Sequence, residues 1–187
     1  LGLIMNLLIL GVIIFFSIHL VPIFPLKKVL INQLGKNKYK GLFSLIALVG
    51  LLVIIYGYKN ADFYLIWDSF PYSKEIALAL MPISIVLIAA TNIQTNIKRF
   101  IKHPMLIGIL IWSIVHLFAN GDLRSIILFS SFGVYALINI VFSKKVLIIK
   151  DTKNFTLTKD ILVIIIGLVT YIIILHFHQY IAGVEIS

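Results

Sequence analysis

Six long apolar segments follow one another along the chain, at about 4–24, 42–58, 75–92, 104–119, 124–142 and 161–182. A helix that crosses the hydrocarbon core of a bilayer needs about 20 mostly apolar residues, and these segments approach or reach that length. The runs are continuous, whereas a membrane β-barrel would alternate apolar and polar residues. We therefore predict an all-α, polytopic membrane bundle of about six transmembrane helices, forming a single domain over 1–187.

The composition agrees with a protein embedded in lipid. Hydrophobic residues make up 61% of the chain and charged residues 12%, whereas a soluble domain has about 45–50% and about 25%. The net charge of +9 could indicate nucleic-acid binding. The charges lie in the loops between apolar segments, however, which favours a membrane protein that binds no nucleic acid. Cysteine is absent, which excludes disulfides, thiolate nucleophiles and cysteine-ligated metals.

The basic residues predict the orientation in the membrane. Thirteen of the 16 Lys and Arg residues fall in the loops after the first, third and fifth segments. Because basic loops stay in the cytoplasm, both termini are predicted to be non-cytoplasmic in a multi-pass membrane protein. The loop at 93–102 reads as an interfacial helix or a solvated connector. The loop at 143–160 reads as a short hairpin or a segment lying on the lipid surface.

Histidines are the candidate metal ligands. His19 lies near the inner end of the first segment, His103 precedes Pro104 as a candidate helix cap, and His116 shares a helix face with Trp112. Ionisable groups inside a bilayer usually serve function, and neutral imidazole is an axial ligand of haem iron. The alternative is that these histidines only form hydrogen bonds between helices.

Two histidine pairs remain open as haem ligands. At about 1.5 Å per residue, His19 lies roughly 8 Å and His116 roughly 20 Å from the inner ends of their segments. A clamp by His19 and His116 therefore needs a tilted haem or helix, whereas His19 and His103 match better in height. His176 and His178, at the outer end of the last segment, read mainly as part of an interfacial belt.

A polar turn separates the fourth and fifth segments. Gly121 is expected in the left-handed conformation that ends a helix, and Asp122 is expected to cap the next helix. Arg124 is expected to pair with Asp122 or Asn120. The turn either simply joins two antiparallel helices or also orders the mouth of a pocket near His116.

Three stretches together resemble the NnrU family of small bacterial inner-membrane proteins: FFSIHLVP at 15–22, LGKNKYKGLFSLIALVGLLVIIYGY at 34–58 and HPMLIGILIWSIVHLFANGDLRSIILFSSFGVYAL at 103–137. The resemblance implies a link to denitrification and to nitrite and nitric oxide reduction. The family is also similar to 15-cis-zeta-carotene isomerase, a haem b enzyme. That similarity implies haem b here, with His19 and His116 as ligands, His103 as the third shared histidine and Trp112 packing on the ring.

Three functions follow as hypotheses. The first is a haem b protein with a redox-linked or isomerase-type role in nitrogen-oxide metabolism, which leaves open whether the chain is an enzyme. The second is a non-enzymatic assembly factor or conduit that supports nitrite or nitric oxide reduction, with a respiratory or denitrification membrane complex as its partner. The third is a lipid-modifying enzyme like the isoprenylcysteine methyltransferases, which ranks last because no nucleotide-cofactor pattern is found.

Overall fold

The computed structural model describes residues 2–142 and 156–183, with only the backbone described at 181–182. Within these residues the chain is all-helical and contains no strand, which confirms the predicted helical class. Two of the connections between the helices contain single turns of 3-10 helix, at Val21–Ile23 and Ala90–Asn92. The helices are α1 (Leu3–Leu20), α2 (Leu26–Leu34), α3 (Lys36–Asn60), α4 (Ser73–Ala89), α5 (Ile97–Phe100), α6 (Pro104–Ala119), α7 (Leu123–Phe142) and α8 (Leu157–Ala182).

Five of the described helices, namely α1, α3, α4, α7 and α8, are long and apolar enough to cross a membrane. Helix α6 is apolar but has 16 residues, which corresponds to about 24 Å and is shorter than a core of about 30 Å. The chain is thus a membrane-type helical protein, while six spans and the outward termini stay predictions.

Two predicted loops have different outcomes. The stretch at 93–102 forms only one helical turn, α5, and Phe100 on it is 81% exposed. The helix there is therefore much shorter than the predicted interfacial helix. The predicted hairpin or lipid-surface segment at 143–160 falls largely on 143–155, outside the described residues.

The chain divides into two compact units. Unit 1 comprises Leu1–Asp68 and Asn120–Ser143, and unit 2 comprises Ser69–Ala119 and Lys144–Ser187. The prediction of a single domain over 1–187 stays a prediction.

In unit 1, helices α1 and α3 run antiparallel and touch through their backbones. A Cβ on Gly11 would lie 2.7 Å from the Ile54 nitrogen, and a Cβ on Gly57 would lie 2.7 Å from the Leu8 Cα. A Cβ on Gly50 would likewise lie 2.9 Å from the Phe15 nitrogen. Small residues are typical of helix interfaces in membranes, where close backbone packing replaces the hydrophobic effect as the driving force. We call these three glycines the glycine seam.

Helix α7 completes unit 1 and runs in the same direction as α1. Its beginning meets the end of α3, where the Tyr58 and Ser125 hydroxyls are 3.0 Å apart. Farther along, Tyr135 contacts Phe16 near the end of α1, with ring centroids 5.1 Å apart. Unit 1 therefore has two ends. The turn end holds 57–68 and 120–125, and the basic end holds α2 and the start of α3.

In unit 2, helix α4 packs against both α6 and α8. The Ser84 hydroxyl of α4 donates a hydrogen bond of 2.8 Å to the Gly108 carbonyl of α6. A Cβ on Gly167 of α8 would lie 2.7 Å from the Val86 Cα. Near the start of α8, Asn96 donates to both carboxylate oxygens of Asp160, through its backbone nitrogen at 2.8 Å and its side-chain amide at 2.5 Å. This contact fixes the segment before α5 against α8.

Candidate functional site

His19 is held by the last full turn of α1. Its Nδ1 lies 2.6 Å from the Phe15 carbonyl oxygen. A carbonyl can only accept a hydrogen bond, so Nδ1 carries the proton, and the neutral ring keeps its lone pair on Nε2. Histidines that bind metals are commonly oriented by such a bond from the other ring nitrogen. The local helix geometry therefore leaves the lone pair of the His19 ring on Nε2.

Aromatic rings from three helices surround His19. The ring centroids of Phe15, Phe43 and Tyr135 lie 4.2, 5.2 and 6.1 Å from that of His19. Phe132 contacts Phe16 edge to face at 4.9 Å, which extends the same packing. We call Phe15, Phe16, Phe43, Phe132 and Tyr135 the aromatic cluster. It encloses the half-buried imidazole in an apolar, polarisable setting.

A cavity of about 360 Å³ lies next to this cluster and shares Phe43 with it. Three lysines line it together with apolar and hydroxyl side chains, and we call it the lysine cavity. Its lining residues are Pro22, Lys27, Ile31, Lys36, Tyr39, Lys40, Phe43 and Ser44. The whole cavity therefore belongs to the basic end of unit 1.

Unit 2 holds the other predicted histidines. His116 has its Nδ1 2.8 Å from the Trp112 carbonyl oxygen, and the two rings lie 5.0 Å apart. This confirms that His116 and Trp112 share a face and gives His116 the same donor arrangement as His19. His178 on α8 is close enough to interact electrostatically with His116, a proximity that the sequence did not indicate.

His103 stands at the start of α6. Its carbonyl accepts the first hydrogen bond of that helix, from the Ile107 nitrogen at 3.0 Å, and Pro104 is the first helical residue. The backbone of His103 therefore occupies the predicted cap position. Because His19 belongs to unit 1 and His103 and His116 to unit 2, both candidate pairs stay predictions.

The turn at 120–122 caps α7 as predicted but through a different conformation of its glycine. The Asp122 Oδ1 accepts a hydrogen bond from the Ser125 nitrogen at 3.1 Å and lies 3.3 Å from the Arg124 Nε. The left-handed conformation predicted for Gly121 is wrong, since the described glycines with positive φ are Gly35 and Gly183. Glycine is needed at 121 because a Cβ there would overlap the Trp67 carbonyl.

A segment that sequence reasoning missed docks on this turn. The carbonyl of Gly121 accepts hydrogen bonds from the backbone nitrogens of Ile66 and Trp67, at 2.8 and 3.2 Å. The Leu123 nitrogen donates to the Tyr64 carbonyl at 2.8 Å. These backbone contacts join positions more than 50 residues apart, and no local pattern marks them.

Arg124 ties the turn to the end of α3. Its Nη1 donates to the carbonyls of Tyr58 and Ala61, each at 3.3 Å. The guanidinium also lies 5.3 Å from the centre of the Tyr58 ring. We call these contacts, with the Asp122–Arg124 ion pair, the turn network.

In the part of the chain that the structure describes, metal-ligating side chains do not gather in larger groups. Across the described ranges 2–142 and 156–183, no set of three or more His, Asp or Glu residues is placed to hold a metal ion. Candidate ligands in this part of the chain come singly or in pairs.

The sequence matches a protein-family model. The model described as NnrU protein matches residues 7–186, nearly the whole chain. Searches of the curated proteins and of the solved structures find no match.

Proposed function

Because the chain belongs to the NnrU family, we propose that it is a haem b-binding protein of the bacterial inner membrane with a redox-linked or isomerase-type role in nitrogen-oxide metabolism. The observation that carries the proposal is the state of His19. Its Nδ1–H is bound to the Phe15 carbonyl at 2.6 Å, which directs the lone pair of the neutral ring to Nε2. The donor chemistry therefore fits an axial ligand of haem iron.

The surroundings of His19 fit the same role. The aromatic cluster restricts water around the imidazole and fixes the ring plane from three helices. A fixed ring loses little rotational freedom when it binds iron, and apolar surroundings tune the potential of a bound haem. When bound, haem supplies reversible one-electron chemistry at iron, and the protein's part is to hold, orient and shield it.

His116 is the second proposed ligand. Its Nδ1 is bound to the Trp112 carbonyl, and the Trp112 ring packs against the imidazole. In each unit, a hydrogen bond from Nδ1 to the carbonyl four residues earlier thus orients the imidazole.

The test is an ultraviolet–visible spectrum of the protein, expressed in a haem-replete host and purified in mild detergent. We expect a Soret band, with sharp α and β bands after reduction. His19→Ala should lose most of the haem, and added imidazole should restore it by occupying the space that the side chain leaves. His19→Phe should keep the aromatic packing but bind no haem, even with imidazole.

His176→Ala is the matched control, because this histidine is exposed near the end of α8. It should keep the haem content and the spectrum of the parent protein. A parent protein that stays colourless after reconstitution with haem would refute the proposal. Full haem in His19→Phe would refute the assignment of His19.

A second candidate function is a non-enzymatic assembly factor or conduit for a denitrification complex. The observation that favours it is the low burial of the long apolar helices. In α8, only 11% of the residues in the most apolar stretch are buried within the protein. Such a face suits lipid or a partner membrane protein. A colourless protein that co-purifies with a respiratory complex in mild detergent would support this candidate, whereas a haem-loaded protein free of partners would count against it.

A further inference from the structure

The lysine cavity carries a positive charge that its own unit does not neutralise. Lys27, Lys36 and Lys40 line it, and the first 61 residues contain no Asp or Glu. The acidic residues of unit 1 within the described part of the chain are Asp62, Asp68 and Asp122, all at the turn end. Because Lys40 and Asn60 are 20 residues apart on α3, the two ends are separated by about 30 Å. Screening in physiological salt acts within about 8 Å, so these carboxylates do not balance the lysines.

The start of α3 adds to this positive potential. The cap residue Gly35 has φ 81° and ψ 154° and makes no side-chain cap, and the first turn of the helix contains no acidic residue. The first backbone N–H groups of a helix carry a partial positive charge and seek acceptors. Lys36 is the first residue of the helix, where a cation is unfavourable. An anion at this position would stabilise both the lysines and the helix end.

Tyr39 provides an independent observation. This residue lines the lysine cavity and is only 7% exposed, yet its hydroxyl is buried without a hydrogen-bond partner. A buried hydroxyl that lacks a partner is costly, and most such groups in native proteins are satisfied. An acceptor bound in the cavity would satisfy it.

We propose that the lysine cavity binds an anionic phosphate group, with the ammonium groups of Lys27, Lys36 and Lys40 supplying the charge and the Tyr39 hydroxyl donating a hydrogen bond. The cavity is formed by the 3-10 turn after α1, by α2 and by the start of α3, and a lipid headgroup is one source of such a phosphate. The same phosphate chemistry also occurs in small soluble phosphates. This site is separate from the proposed haem ligation, and it touches the aromatic cluster only through Phe43.

The experiment measures phosphate binding on the full chain in nonionic detergent by native mass spectrometry. One arm titrates short-chain phosphatidylglycerol, with phosphatidylcholine as the uncharged comparison, and the other titrates inorganic phosphate. Lys27→Gln/Lys36→Gln/Lys40→Gln should weaken binding by about 10- to 100-fold, because each basic residue near a charged headgroup contributes appreciably. Tyr39→Phe should weaken it by about 3- to 10-fold without a change in charge.

The matched control is Lys28→Gln/Lys38→Gln/Lys59→Gln, which removes the same net charge but leaves the lining lysines in place. It should bind almost as the parent does. Saturable binding of phosphatidylglycerol supports the proposal with a lipid as the source, and saturable binding of inorganic phosphate supports it with a soluble source. Equal losses in both triple variants, or no binding in either arm, would overturn it.

The haem content of each variant keeps this inference distinct from the proposed function. If the cavity triple variant loses haem but binds phosphate as the parent does, a haem carboxylate occupies the cavity and the phosphate proposal is wrong. If the parent has no haem and the phosphate result holds, only the proposed function fails. Circular dichroism of every variant checks that the helices are intact.

Discussion

The two ends of unit 1 treat charge in opposite ways. At the turn end, Asp122 caps α7 and pairs with Arg124, whose guanidinium also reaches two backbone carbonyls. At the basic end, Lys27, Lys36 and Lys40 meet no acid within the described part of the chain, and α3 starts without a side-chain cap. Charges satisfied within the chain stabilise a fold, whereas charges left open are suited to a ligand. The difference predicts that substitutions at the turn end change stability and that those at the basic end change binding.

The largest effect is expected from Asp122→Ala. It removes the cap of α7 and leaves the partly buried Arg124 without its acid, so the free energy of unfolding should fall by about 3 kcal/mol. Thermal unfolding in mild detergent, followed by circular dichroism, measures the loss. Asp122→Asn keeps an oxygen for the Ser125 nitrogen and should lose less. Equal losses in the two variants would show that the cap contributes nothing, and an unchanged Asp122→Asn would show that the ion pair contributes nothing.

Gly121→Ala should lower stability next most. The new Cβ would overlap the Trp67 carbonyl, which is backbone and can move only if the docked segment 61–68 shifts, so we expect about 2 kcal/mol of destabilisation. The control is Gly41→Ala in α3, where a Cβ meets nothing within 4 Å and should stabilise the helix by about 0.5–1 kcal/mol. A melting temperature for Gly121→Ala equal to that of the parent would contradict the described docking.

Two tyrosines on α3 allow a direct comparison of the ends. Tyr58→Phe loses the 3.0 Å contact with the Ser125 hydroxyl and should cost about 1 kcal/mol. Tyr39→Phe removes a hydroxyl that has no partner, so stability without phosphate should be unchanged or slightly higher. The same unfolding measurement checks both variants. A marked loss in Tyr39→Phe without any phosphate would show that its hydroxyl already has a structural role.

The smallest expected effects are changes in stability of opposite sign, from substituting a lysine at each end of α3. Lys36 is at the positive end of the helix dipole and Lys59 is in the last turn. Lys36→Gln should therefore raise stability by about 0.3–1 kcal/mol and Lys59→Gln should lower it by a similar amount, at low salt. With phosphatidylglycerol present, Lys36→Gln should melt below the parent because it gains less from the ligand. Shifts of the same sign in phosphate-free detergent would refute the dipole argument.

Local patterns in the sequence predicted much of this fold. The apolar runs gave the positions of the helices, because the burial of backbone hydrogen bonds in lipid leaves few alternatives to a helix. The i, i+4 relation of Trp112 and His116, the cap by Asp122 and its pairing with Arg124 are contacts within four residues, and the structure contains all three.

The remaining features depend on contacts between distant positions. Gly121 reads as a helix terminator in the sequence, but its neighbour is Trp67, and that proximity decides its conformation. Tyr39 stands between Lys38 and Lys40 in the sequence, yet it is only 7% exposed. The aromatic cluster around His19 draws on α3 and α7 as well as α1. The ligand assignments of His19, His103 and His116 stay predictions.

The glycine seam also affects the order in which the protein can form. It joins α1 and α3, which are separated along the chain by the short helix α2, and the lysine cavity is lined by residues between Pro22 and Ser44. Contacts of low sequence separation form early, and chains fold as they are made. The cavity can therefore be complete while the ribosome is still adding α4 to α8. A ligand captured there would accompany the first helical hairpin into the bilayer and be in place before the turn end closes.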